Sequence, residues 1–259
     1  MNERVKLLES RLGDIARVLE SDVDGLALLG LGSAGTERAR FDEWSDLDFF
    51  AIVRDASKER FLSDPSWLDR AHPVAYRFRN SPDGFKLLFA DGVFAEMAVF
   101  GTNELAAIPF AAGAVIWARE GVDIAAFEPK SEAGRLRAGI DPDHAAGELL
   151  TCLYVGMCRY RRGELLSAWR FVQVYCLDRV LELASVWLHP NPSFPDLYSR
   201  DRRAEARHPE LVALFGEALT GYRGTPAAVL ALLGWLESHT AVNPALKQAI
   251  LDLIEAEGS

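Results

Sequence analysis

Apolar residues recur at three- and four-residue spacings over residues 3–20. Val5, Leu7, Leu8, Leu12, Ile15, Val18 and Leu19 fall on one stripe, which predicts an amphipathic helix. Ser21-Asp22 breaks it. Residues 26–31 form a short unbroken apolar run ending at Gly32-Ser33, and that length with those glycines predicts a buried strand. A polar stretch, 34–45, follows. Residues 46–53, rich in aromatic and β-branched side chains, predict a second strand. Residues 57–70 predict a helix interrupted at Asp64-Pro65. Two apolar runs, 85–90 and 93–100, flank Asp91-Gly92, a turn dipeptide that predicts a β-hairpin.

Beyond about residue 130 strand-like runs stop. Residues 144–160 and 164–188 predict long helices, the second with Trp169, Val172, Cys176, Val180 and Leu183 on one stripe. His189-Pro190-Asn191-Pro192 and Pro195 mark a loop. Residues 211–219, 226–237 and 244–256 predict three further helices. The chain thus divides into an α/β half, 1–130, and a helical half, 131–259, an α+β organisation with a sheet followed by helices.

Asp46 and Asp48 stand two apart at the head of the second strand. Alternation points both carboxylates to one face, with Cα atoms roughly 6.5–7 Å apart. Carboxylates so spaced suit hard cations, and two such ions can clamp an in-line phosphoryl displacement. Glu96 lies on the second arm of the hairpin in an otherwise apolar run, where a lone charge is costly to bury unless paired or metal-bound. Gly32-Ser33, just past the first strand, allows close approach of backbone to a phosphate. Arg38 and Arg40 in the following loop are within reach of phosphate oxygens. Short motifs such as Gly-Ser or Asp-x-Asp carry little weight singly. Their order carries more: apolar strand, Gly-Ser, a polar loop, Asp-x-Asp opening a second strand, then a hairpin bearing an acid.

Leu31-Gly32-Ser33, Ser45-Asp46-Leu47-Asp48-Phe49 and Glu96 resemble the nucleotidyltransferase family of the DNA polymerase beta superfamily, most of all the aminoglycoside and lincosamide antibiotic nucleotidyltransferases. The motifs cover residues 26–100. The resemblance implies a nucleotidyltransferase domain with a mixed five-stranded sheet, a C-terminal helical domain that binds the acceptor, and transfer of AMP from ATP to a hydroxyl with release of pyrophosphate. It implies Mg²⁺ on Asp46, Asp48 and the third acid Glu96, and the triphosphate at Gly32 and Ser33, with Arg38 and Arg40 beside them. The family's third acid is often Asp, so the longer Glu96 is open to acting as ligand or as general base. Glu164 and Glu148 are candidate acceptor-side bases from the helical half. A protein-adenylylating, antitoxin-like enzyme and a non-catalytic nucleotide-binding module are the competing expectations.

Other residues fit plainer roles. Asp178, Arg179 and Glu182 predict a helical ion pair. Trp44 is either a base-stacking or a packing residue, and Lys86 is expected on a solvated strand edge. The five histidines lack metal-ligand spacing and are expected at the surface or in caps.

Composition narrows the partners. Twenty-eight Lys and Arg against 38 Asp and Glu give a net charge of −10, unsuited to general nucleic-acid binding and permissive for a cationic antibiotic. The first residues lack a signal core, and the apolar stretch 105–118 is too short to span a bilayer. Three cysteines without a CxxC predict reduced core thiols. The expectation is a cytoplasmic protein off the membrane, a monomer or homodimer, taking a nucleotide and a small hydroxylated acceptor.

Overall fold

The computed structural model describes residues 2–108, 110–129, 139–193, 196 and 199–255. The fold is α+β, a mixed sheet followed by helices. The chain divides into two compact units, Met1–Ala133 and Gly134–Ser259. The expected 130/131 junction, Pro195 and the end of the last predicted helix at Ala256 lie outside the described residues.

The first unit opens with α1, Glu3–Ser21, whose start is capped by the Asn2 side chain accepting the Arg4 amide at 2.9 Å. There follow β1 (Gly25–Gly30), β2 (Leu47–Val53), α2 (Lys58–Ser63), β3 (Val74–Arg79), β4 (Gly84–Phe89), β5 (Phe94–Gly101) and β6 (Ala114–Ala118). The strand order is β3-β4-β5-β2-β1-β6. β2 and β5 run parallel, and the other neighbours are antiparallel. Among the described residues the sheet has six strands where the resemblance implied five. β3 and β6 gave no usable pattern: β3 is an edge strand with exposed Tyr76 and Phe78. β6 sits inside the apolar stretch 105–118 and pairs with β1. Arg119 fixes its end, donating to the carbonyls of Gly25 and Asp22 at 2.8 Å and of Glu20 at 2.9 Å.

Strand alternation gives the sheet two different faces. Leu47, Phe49 and Ala51 of β2, Phe85, Leu87 and Phe89 of β4, and Ala95, Met97 and Val99 of β5 are buried together. They pack with Leu8, Leu12, Ile15 and Leu19 of α1 and with Phe61, Leu62, Trp67 and Leu68. Each such large side chain contributes about 1.5–3 kcal/mol by leaving water. The helix expected over 57–70 does split at Asp64-Pro65, into α2 and a 3₁₀ turn, Pro65–Arg70. Arg11 of α1 is buried in this layer, donating to Asp91 at 2.7 Å with its guanidinium 4.4 Å above Phe89. That contact ties α1 to the Asp91-Gly92 turn, where Gly92 takes φ +83°.

The opposite face is covered along only part of its length. Ala27, Leu29, Ile52 and Phe100 lie under Leu105, Phe110 and Phe127. Toward the heads of β2 and β5 the cover ends, and Asp48, Glu96, Lys86 and Phe78 are half-buried or exposed.

The second unit contains α3 (Pro142–Arg161), α4 (Leu165–Arg170), α5 (Cys176–Trp187), α6 (Ala204–Arg207), α7 (Val212–Ala218), α8 (Thr225–His239) and α9 (Pro244–Glu255). Asp141 caps α3 by accepting the Asp143 and His144 amides. Leu149, Leu153, Met157, Val172, Val180, Leu183, Leu232, Leu236 and Ile250 form its core. The helix expected over 164–188 is interrupted by a π turn, Phe171–Tyr175. The turn presents buried Gln173, whose amide bonds Thr220 Oγ1 at 3.1 Å and both the carbonyl and the amide of Gly221 at 2.9 Å. Arg179 pairs with Glu182 at 2.9 Å, the helical ion pair expected. One histidine departs from a surface role: His208 is 3% exposed. His239 is exposed at the end of α8, its ring against Trp187 and Trp235. The three cysteines are free thiols. No helix among the described residues is long and apolar enough to cross a membrane.

Candidate active site

Antiparallel pairing of β1 with β2 brings the chain leaving β1 to the head of β2. The Leu31 amide donates to the Asp48 carbonyl at 2.8 Å. Gly32–Ala34 then forms a 3₁₀ turn. The Gly35 amide donates to the carbonyls of Leu31 and Gly32 at 3.0 and 3.1 Å, and the Glu37 amide to that of Gly32 at 3.0 Å. Gly32 takes φ +50°. A Cβ there would stand 3.1 Å from Arg40 Nη2 and 3.6 Å from Asp48 Oδ2. Gly32, Arg40 and Asp48 therefore share one small cradle that a side chain at position 32 would fill.

Ser33 is buried in this turn. Arg40 is ion-paired with Glu37 and reaches Gly32. Arg38 turns elsewhere, pairing with Glu9 and lying 4.5 Å over Phe41. The two arginines, equivalent in the sequence, thus differ in place.

β2 begins at Leu47, so Asp46 stands just before the strand rather than on it. The cause is local. Asp42 turns the preceding loop, its carboxylate accepting the Trp44 amide at 2.9 Å and the Ser45 hydroxyl at 3.2 Å. Asp46 is exposed and Asp48 half-buried. Trp44 is 88% exposed and contributes nothing to the core.

Glu96 is the direct register partner of Asp48 across β2 and β5. Its carboxylate is held on both oxygens: Asn80 Nδ2 donates to Oε1 at 2.7 Å, and Lys86 Nζ lies 3.2 Å from Oε2. Lys86, expected on a solvated strand edge, is not at an edge of the sheet. β4 lies between β3 and β5, and Lys86 faces Glu96 in register. A two-residue Asp91-Gly92 turn would have set Lys86 opposite Met97; the loop takes Ala90 as well, and that one-residue shift brings Lys86 opposite Glu96. Asn80 lies in the loop before β4 and left no signal.

Among the described residues no three His, Cys, Asp or Glu side chains converge on one metal position. Asp46 and Asp48 are hard oxygen donors at the mouth of the Gly32 cradle, the donor type Mg²⁺ takes through one or two carboxylates. Glu96 already has a cation and an amide. In the second unit, Glu164 immediately precedes α4 and pairs with Arg159 at 2.8 Å. It lines a recess of about 570 Å³ with Leu166, Arg170, Tyr175 and Tyr222. Glu148 is exposed on α3.

No family model matches the chain, and no curated protein does. Among the solved structures similar to it are two nucleotidyltransferase-type proteins. One is an aminoglycoside 6-adenyltransferase from Bacillus subtilis, at 12% identity and TM-score 0.38, covering 95% of this chain and 94% of that one. The other is a nucleotidyltransferase-like protein from Exiguobacterium sibiricum 255-15, at 13% identity and TM-score 0.35, covering 89% and 74%. Likeness at this level assigns no activity to the chain.

Proposed function

We propose that the chain is a Mg²⁺-dependent nucleotidyltransferase that moves AMP from ATP to a hydroxyl of a small acceptor. The carrying observation is the meeting of the Gly32 turn and Arg40 with Asp48, and of Asp48 with Glu96 in register. Asp48 borders both, with Gly32 following β1 on one side of β2 and Glu96 in β5 on the other.

In this account the triphosphate lies on the 32–35 turn, and Arg40 offsets phosphate charge. Asp46 and Asp48 would hold Mg²⁺, which when bound neutralises charge on the triphosphate and the leaving pyrophosphate. Glu96 is the general base in this account, its carboxylate oriented by Lys86 and Asn80. The acceptor oxygen bonds to the α-phosphorus as the bond to the pyrophosphate oxygen breaks. Its electron pair leaves on pyrophosphate, and the hydroxyl proton passes to Glu96. Most of the acceleration comes from positioning and charge. An antibiotic acceptor, with the helical unit helping to bind it, completes the proposal.

The test is transfer of α-phosphate label from ATP to a panel of hydroxylated antibiotics with and without Mg²⁺. Label on an acceptor, lost on chelation, is the expected result. Label that moves equally well after chelation contradicts the Mg²⁺ assignment.

A further inference from the structure

Two of the three cysteines meet where α3 packs on α5. At Gly156 of α3 a Cβ would stand 2.5 Å from Val172 Cγ2 and 3.3 Å from Phe171 Cβ, so the helices are close here. Further back along α3, the Cys176 thiol donates to the Leu149 carbonyl at 3.7 Å. These two contacts set an antiparallel pairing, Gly156 with Val172 at one end and Leu149 with Cys176 at the other. Cys152 lies between them, one turn before Gly156, and Cys176 lies one turn after Val172. A helical side chain leans over the turn that precedes its own Cα. The Cys152 sulfur therefore leans toward Leu149, where Cys176 already points. The two side chains are hydrogen-bonded to each other.

Their surroundings differ. Cys176 is fully buried, and burial, with the neighbouring Cys152 sulfur, holds its thiol well above the ordinary value. Cys152 is half-buried at the rim of the same core. The hydrogen bond with Cys176 brings the Cys152 pKa down to about 7; Arg179 acts in the same direction, and burial and Glu148 oppose it. One sulfur is a reachable nucleophile, and the other is a protonated thiol held against it. That is the relation of an attacking to a resolving cysteine. Cys158 stands apart. It is six residues further along α3, about two-thirds of a turn off this face, and its side chain is bonded to Tyr154.

We propose that Cys152 and Cys176 form an oxidation site, at which hydrogen peroxide joins α3 to α5 through a disulfide. The Cys152 thiolate attacks one peroxide oxygen, and an S–O bond forms as the O–O bond breaks. The departing hydroxide takes up a proton to become water, leaving Cys152 as a sulfenic acid. The Cys176 sulfur then attacks the Cys152 sulfur. The S–S bond forms as the S–O bond breaks, and the Cys176 thiol proton leaves with the hydroxyl as a second water. Two thiols lose two electrons and one peroxide gains them. A disulfide needs Cα atoms about 4.4–6.8 Å apart, and helices whose approach excludes a Cβ one turn away are packed closely enough to allow it. The site uses no residue of the proposed transfer reaction and does not rest on it.

The test is peptide mapping of the full chain by mass spectrometry, without reductant, after brief exposure to hydrogen peroxide at neutral pH. The expected product is a pair of peptides joined through Cys152 and Cys176, lighter by two hydrogens and separated by dithiothreitol. It should form before Cys158 is oxidised. Cys158→Ala should form the same crosslink as the parent. In Cys176→Ala the reaction should stop at a Cys152 sulfenic acid that dimedone captures. Truncating a buried side chain can unfold a chain, so the parent map decides the matter whether or not Cys176→Ala folds. A parent that forms no Cys152–Cys176 crosslink, forms only disulfides between chains, or oxidises Cys158 first or alongside overturns the proposal. Formation of the crosslink upholds it even in a chain that transfers no AMP.

Discussion

Asp48 of β2 and Glu96 of β5 face one another across the parallel strand pair, one acid beside the Gly32 cradle and the other beside Lys86. The two carboxylates therefore have separate neighbours and, in the proposed reaction, separate tasks. Glu96→Gln keeps size and hydrogen bonding but cannot accept the proton. Turnover should fall about 10²–10⁴-fold, with the KM for ATP nearly unchanged. Steady-state kinetics checks this. Turnover within a few-fold of the parent would remove Glu96 from the base role.

Gly32→Ala introduces a Cβ at φ +50° beside Arg40 and Asp48. The left-handed backbone costs about 1–2 kcal/mol for a non-glycine residue. Denaturant unfolding should show a loss of that size. Nucleotide binding should weaken as well, since the methyl enters the cradle. Equal stability and equal ATP affinity would show that the turn is neither strained nor a phosphate site.

Asp91 joins the hairpin turn to α1. Burial pushes its carboxyl up, but hydrogen bonds from the Arg11 guanidinium and the Val93 amide outweigh this and hold it below its ordinary value. A depressed carboxylate contributes stability that is complete above the unfolded value, about 3.9, and that is lost as pH falls through the folded value. The first unit should therefore weaken below about pH 4. Arg11→Met should cost about 1–3 kcal/mol at neutral pH and flatten that acid limb. Urea titrations at several pH values read both effects.

His208 should give the second unit a different pH response. Burial lowers its pKa, with Arg207 adding to the effect and Glu210, 3.8 Å from Nδ1, opposing it. Above about pH 6.5 the imidazole is neutral folded or unfolded, and stability does not change. Below that the unfolded chain protonates first, so stability falls until the folded value is passed. His208→Gln should remove this loss just below about pH 6.5. A parent whose unfolding midpoint is flat across that window would contradict it.

Periodicity and turn chemistry revealed much of the fold. α1, β1, the Asp91-Gly92 hairpin and α3 follow from residues whose burial pattern matches their period. β3 and β6 were missed for physical reasons. An edge strand with Tyr76 and Phe78 exposed shows no buried alternation, and β6 is defined by pairing with a strand more than eighty residues away. Asp48, Glu96 and Gly32 were legible as chemistry. The division between Arg40 and Arg38, and the hold of Lys86 and Asn80 on Glu96, came from tertiary contacts.

The most direct measurement is Mg²⁺-dependent pyrophosphate release from ATP in the presence of an aminoglycoside or a lincosamide acceptor, for the parent chain and for Asp48→Asn. The parent should release pyrophosphate with a matching gain of one AMP on the drug. Asp48→Asn should fold as the parent does, by circular dichroism, and release at least about a hundredfold less, because a charge at the metal position is gone. A folded Asp48→Asn protein that retains full transfer would contradict the placement of the reaction at Asp48.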